Sequence, residues 1–176
     1  YLNGDSVVTE ITGSNRLDYY YDEKGDLFGF KYNNNYYYYL RNGQNDIIGI
    51  VDTAGTQVVS YSYDTWGKLL SVKDQYGVDR TSDASFIGNK NPYRYRGYRY
   101  DAETGLYLLQ SRYYDPNTGR FLNADGVLST GTGLLGCNMF AYCNNNPVNM
   151  SDPSGHWPQW LKNVGNWIKK TVKAVV

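Results

Sequence analysis

Three observations predict an all-β protein. Tyrosine supplies 20 and glycine 19 of the 176 residues, against 5 prolines. Tyr favours the pleated, half-buried surface of a sheet, and Gly with Asp and Asn favours the turns between strands. Good helix formers are scarce before position 155, and an Asp-x-x-Gly turn recurs between short apolar runs.

The copies are "DEKG" (Asp22–Gly25), "DTAG" (Asp52–Gly55), "DTWG" (Asp64–Gly67) and "DQYG" (Asp74–Gly77). Asp bonds its own downstream backbone, and Gly takes a positive φ without Cβ strain, so each copy predicts a hairpin. "VVSYSYDTWGKLLSVKD" holds the whole unit of strand, turn and strand. The turns at 52, 64 and 74 follow at meander spacing, and "NNNYYYYLRNGQND" fills the wider gap after Asp22 with a further strand and turn. Hairpins of this kind bury their faces only against neighbours, so they are expected to stack into one extended or coiled sheet. Residues 79–91, "DRTSDASFIGNKN", read as a polar break. After it, "YRYRGYRY" (Tyr93–Tyr100) reads as strand with Arg on one face, followed by turns one residue longer, "DAETG" (Asp101–Gly105) and "DPNTG" (Asp115–Gly119).

Charge and composition exclude several functions. Lys plus Arg and Asp plus Glu each number 17, which gives no basic excess for nucleic acid. One histidine and two cysteines (Cys137, Cys143) leave a zinc site short of ligands and supply no disulfide framework. "GTGLLG" (Gly131–Gly136) matches a dinucleotide-loop pattern but lacks the strand before and the helix after that the pattern requires, so no cofactor is expected. No stretch is apolar enough to span a membrane. Tyr1 falls within strand-like sequence and no signal peptide is visible, so the chain is expected to be a piece of a longer one.

Two features point to chemistry. Asp101, Asp115, Asp125 and Asp152 crowd the second half. Two carboxylates sharing one proton can hydrolyse a peptide bond, although spacing alone does not say which two meet and each fits a turn. In "WPQWLKNVGNWIKKTVKAVV" (157–176) the apolar residues fall at helical spacing with lysines mostly off the stripe. This tail fits packing on a further domain better than lying on a membrane.

"YRYRGYRYDAETGLYLLQSRYYDPNTGRFLNAD" followed by "NNPVNMSDPSG" resembles the RHS repeat-associated core domain over about residues 89–156, and the hairpins before it, over residues 1–88, resemble YD repeats. The resemblance implies a β-sheet spiralled into a hollow shell that encloses a C-terminal toxin, in proteins secreted or wall-associated in bacteria and paired with immunity proteins. In several members the core domain plugs the shell and acts as an intramolecular aspartyl protease, cutting just after a P-x4-D-P-x-G-L motif. Pro147, Asp152, Pro153 and Gly155 fit that motif, with His156 in place of Leu, so the implied cut lies between His156 and Trp157. Residues 157–176 would then begin the effector. Asp125 corresponds to the family's carboxylate downstream of the Arg-Tyr-Tyr element, although Gly126 follows it where Pro is common. Asp101 is expected as its partner, with Arg112 and Arg120 either holding a carboxylate ionised or orienting the loop by bidentate pairing. The alternatives are a shell and plug without catalysis, and a surface module that stacks carbohydrate on exposed Tyr.

Overall fold

The computed structural model of the chain describes residues 1–3, 6–124, 138–152 and 155. They divide into two compact units. The first comprises Tyr1–Asp64 with Leu69–Gly97, the second Thr65–Lys68 with the described residues from Tyr98 on. The fold is all-β, as the turn chemistry predicts.

In the first unit β1 (Leu2–Asn3) pairs with β2 (Ser6–Val7). Seven strands then form one antiparallel sheet in chain order: β3 (Thr9–Thr12), β4 (Asn15–Tyr21), β5 (Leu27–Tyr32), β6 (Asn35–Arg41), β7 (Ile47–Asp52), β8 (Gln57–Tyr63) and β9 (Leu69–Asp74). The Asp turns behave as the sequence requires. Asp22, Asp52 and Asp74 each accept two main-chain N–H groups through Oδ1, and Gly25, Gly55 and Gly77 stand at φ 84°, 79° and 80°. A further copy is built from different letters. Asn42 Oδ1 accepts the N–H of Gln44 and Asp46, while Asn45 takes the left-handed position at φ 70°.

The residue before each of three turns carries a second function. Tyr21 donates its hydroxyl to the Val7 carbonyl at 2.7 Å, Arg41 a guanidinium N–H to Leu27 at 2.6 Å, and Tyr63 its hydroxyl to Ile47 at 2.8 Å. A register shift falls just before each of the three, and such a bulge re-aims a side chain. Each hairpin is thereby tied to the main chain of the one before it. The Asp or Asn folds its own turn, and the Tyr or Arg before it fastens the repeat.

One sheet face buries Tyr19, Phe30, Ile47, Ile50, Val59, Tyr61 and Val72. The 79–91 stretch covers this face and is more than a polar break. Asp79 and Asp83 cap its bends, Phe86 and Ile87 pack on the core, and the short helix α1 (Ile87–Lys90) follows. Asn91 is fully buried, accepting from the Tyr39 hydroxyl and donating to that of Tyr61. The Tyr-Arg alternation is not strand before Arg99. Tyr95–Gly97 form a 3-10 turn in which Arg96 adopts φ 54°. Arg94 and Arg96 are buried, and Arg96 meets Asp46 with Nε 3.5 Å from the carboxylate. The alternation places arginines inside the first unit, where they present no basic face.

In the second unit β10 (Arg99–Asp101), β11 (Leu106–Leu109), β12 (Arg112–Asp115) and β13 (Arg120–Phe121) form an antiparallel sheet in chain order. Alternation sends Tyr107, Leu109, Arg112, Tyr114 and Phe121 inward. Tyr142 closes over them, its ring centroid 4.2 Å from that of Tyr114 and 5.8 Å from that of Phe121. The Tyr107 and Tyr114 hydroxyls donate to the Gly67 and Trp66 carbonyls. After Tyr142, Cys143, Asn144 and Asn145 all hold positive φ, a reversal that leads the chain to Asp152.

Candidate active site

The second unit gathers its chemistry around Arg112. Strand alternation points this cation inward beside Tyr114, where a strand face is normally apolar. Its side chain and that of Asp152 are only 5% and 3% exposed, with Nη2 to Oδ2 at 3.4 Å. Nη1 donates to the Met139 carbonyl at 3.0 Å, and Nε donates to the Gly155 carbonyl. The guanidinium lies 3.6 Å from the Phe121 ring centroid, a close cation–π stack. A buried cation needs this many partners, because desolvation of an unpaired charge costs several kcal/mol. One side chain thus joins β12, β13 and the segment from 138 to 155.

Gly155 is fixed tightly. Its carbonyl accepts from Arg112 Nε and also from the Ser111 hydroxyl at 3.1 Å. Its φ is +68°, and a Cβ there would collide with the Leu109 carbonyl and the Ser111 hydroxyl. Only glycine fits. The tight β11–β12 turn, with Gln110 at φ 46°, puts Ser111 and Arg112 side by side for this purpose.

The other predicted site residues are placed differently. Asp101 caps its own turn: Oδ1 accepts the Glu103 N–H at 3.0 Å and Oδ2 the Thr104 hydroxyl at 2.7 Å. The hydroxyl first, and then the N–H, hold its carboxyl below the usual range. Asp115 repeats the arrangement with Asn117 and Thr118. The register pairs Asp101 with Leu106 and Arg112 with Leu109, which places them at opposite ends of β11, about 10 Å apart along the strand. Arg120 is exposed on β13, where it pairs with Asp115 in register. Pro147 is described and lies in the turn-rich stretch before Asp152. Asp125, Pro153, His156, Trp157 and the expected 157–176 helix lie outside the described residues, as does Cys137. Among the described residues no helix is long and apolar enough to cross a membrane.

Repeated hairpins latched one to the next, followed along the chain by a tyrosine-packed unit with a buried Arg–Asp pair, are the features of a YD-repeat shell protein. The chain belongs to the Teneurin YD-shell family, whose match covers residues 7–148. It is 38% identical over 169 residues to the tRNA3(Ser)-specific nuclease WapA of Bacillus spizizenii, which covers 94% of this chain and 7% of that protein. It is 33% identical over 135 residues to toxin subunit YenC1 of Yersinia entomophaga, covering 74% of this chain and 12% of YenC1. The solved TcdB2-TccC3-Cdc42 structure shares the fold at TM-score 0.63 and 23% identity, over 81% of this chain and 6% of that one. The chain therefore spans about 7% of the length of the first of these curated relatives.

Proposed function

We propose that this segment is the shell and plug end of a secreted or wall-associated bacterial toxin carrier, and that its second unit cuts its own chain between His156 and Trp157. The observation that carries this reading is the buried Arg112–Asp152 pair, whose cation also grips the carbonyl of Gly155, the residue preceding His156. Asp152 takes the place of Asp101 in the acid–base pair, because the Asp101 carboxylate is committed to its own turn. Asp125 is its partner in this reading.

The chemistry follows from two carboxylates that share one proton. The ionised one takes a proton from water, and the resulting oxygen nucleophile attacks the His156 carbonyl carbon. The protonated one donates to the carbonyl oxygen. Collapse of the tetrahedral intermediate breaks the C–N bond and expels the Trp157 amine, which takes up a proton. Arg112 favours the ionised form of Asp152 and fixes the strand of substrate upstream of the bond. The step runs once per molecule, since enzyme and substrate are one chain. The domains proposed are shell strands over 1–88, the self-cleaving core over 89–156 and the start of an enclosed effector over 157–176, with an immunity protein as the effector's partner. Intact mass of the parent chain tests this. Wild type should appear as two pieces and Asp152→Asn as one; two pieces from both overturn the role of Asp152, and one from both leaves a plug without catalysis.

A second reading has its own observation. Phe28, Tyr36 and Tyr38 are 44%, 45% and 40% exposed on the face opposite the core, with Tyr20 stacked beside Tyr36. Such a row suits stacking on sugar rings. It predicts retention on cell-wall polysaccharide that is lost in the Phe28→Ser/Tyr36→Ser/Tyr38→Ser chain.

A further inference from the structure

One buried side chain beside the Arg112–Asp152 pair takes no part in the chemistry above. Tyr98 is 7% exposed, and its hydroxyl oxygen accepts the main-chain N–H of Asp152 at 3.1 Å. The same hydroxyl lies 3.1 Å from that of Tyr142, which is fully buried. Its ring is held edge-on to Tyr107 and Tyr142, each with centroids 6.4 Å away. The titratable groups around it are Tyr142, Cys143 and Asp152, and burial above all drives its pKa well beyond that of an ordinary tyrosine. The hydroxyl therefore stays neutral throughout the working pH range.

Asp152 is thus held at two points. Arg112 grips the carboxylate and Tyr98 grips the amide of the same residue. A carboxylate on a segment of turns, fixed only at its tip, would swing with its own backbone. An acceptor on the amide removes that freedom, and catalytic groups need orientation to within a fraction of an ångström. We propose that Tyr98 is a positioning residue for the self-cleavage, holding the Asp152 main chain so that its carboxylate keeps its orientation to Arg112. This rests on the self-cleavage reading. The bond arises from the fold itself: Tyr98 immediately precedes β10, while Asp152 lies 54 residues further on, so no local pattern links them.

The test compares three parent chains made by cell-free translation: wild type, Tyr98→Phe and Tyr142→Phe. Cleavage rate is read across pH, and folding is checked by hydrogen exchange in β11 and β12. Tyr98→Phe keeps the ring and loses the acceptor, so cleavage should slow about tenfold. The acid limb of its pH profile should also move to higher pH, because a carboxylate less firmly held beside Arg112 is more readily protonated. Tyr142→Phe removes the neighbouring hydroxyl, leaves the bond to Asp152, and should cleave at a rate within about threefold of wild type with an unmoved profile. An unchanged Tyr98→Phe chain overturns the inference while leaving self-cleavage standing. Equal slowing in both variants with unmoved profiles also overturns it, since that is loss of packing alone. An uncut wild-type chain overturns the self-cleavage reading, and this inference falls with it.

Discussion

Replacing Arg112 with Met should loosen the second unit by about 3–5 kcal/mol. The magnitude follows from burial. With the Arg112 and Asp152 side chains 5% and 3% exposed, removing the cation strands a carboxylate in an aromatic interior, the case in which breaking a pair is most costly. Donors to the Met139 and Gly155 carbonyls are lost as well, while a thioether preserves much of the contact with Phe121. Hydrogen exchange in Leu106–Asp115 reads the opening free energy directly. Protection should fall by roughly 100-fold or more, since each 1.4 kcal/mol is about tenfold. Adding Asp152→Asn removes the stranded charge and should recover at least about 1 kcal/mol relative to the sum of the single changes. A loss of protection under about tenfold, or a strictly additive double variant, would refute a tightly coupled buried pair.

Three further outcomes are expected. Gly155→Ala forces a Cβ against the Leu109 carbonyl and a side chain into φ +68°, so intact mass should show cleavage slowed by at least about tenfold, whereas Ser151→Ala on the exposed side of Asp152 should cleave normally. Tyr63→Phe deletes the latch to the Ile47 carbonyl and should lower protection in β7 by about 1 kcal/mol, with β11 unaffected. Asp18, Asp79, Asp83 and Asp101 all titrate below their ordinary range: the Arg16 guanidinium acts first on Asp18, and the Thr81, Ser85 and Thr104 hydroxyls act first on the other three. Their folded pKa values lie under the unfolded value of about 3.9, so the stability they contribute is complete above it and lost as pH falls through the folded values; thermal midpoints should be flat near neutrality and fall below about pH 4.

The fold was readable where the chemistry is local. Asp22, Asp52 and Asp74 act within four residues of themselves, and each copy carries the same letters. The Asn42–Asn45 turn was legible as a turn although it lacks the Asp and Gly of the other copies, because Asn stands for both, as an acceptor and as a residue that tolerates positive φ. The latches of Tyr21, Arg41 and Tyr63 join residues 14 to 16 apart across a bulge, beyond any strand period. Phe86 and Ile87 were hidden in the 79–91 stretch because two apolar residues among polar ones do not stand out, although two suffice to cover a core.

The site was legible in part for the same reason. Arg112 stood out beside "YYD", and Asp152 as a motif residue, but their pairing spans 40 positions and depends on the Cys143–Asn145 reversal. Asp101 sits in one of two matched turns. "DAETG" and "DPNTG" share a Thr in the fourth place, and in both turns that hydroxyl bonds the Asp carboxylate. A matched pair of turns is a structural signature, and the Asp101 carboxylate is engaged in its own turn just as that of Asp115 is. Ser111 and Tyr98 gave no signal in the sequence, since one is a lone Ser in a tight turn and the other one Tyr among 20.

In the proposed reaction the chain clamped at Gly155 is cut one residue later. N-terminal sequencing of the smaller piece released from the parent chain tests this most directly. The piece should start at Trp157, reading Trp-Pro-Gln-Trp. A different first residue, or no released piece, contradicts it.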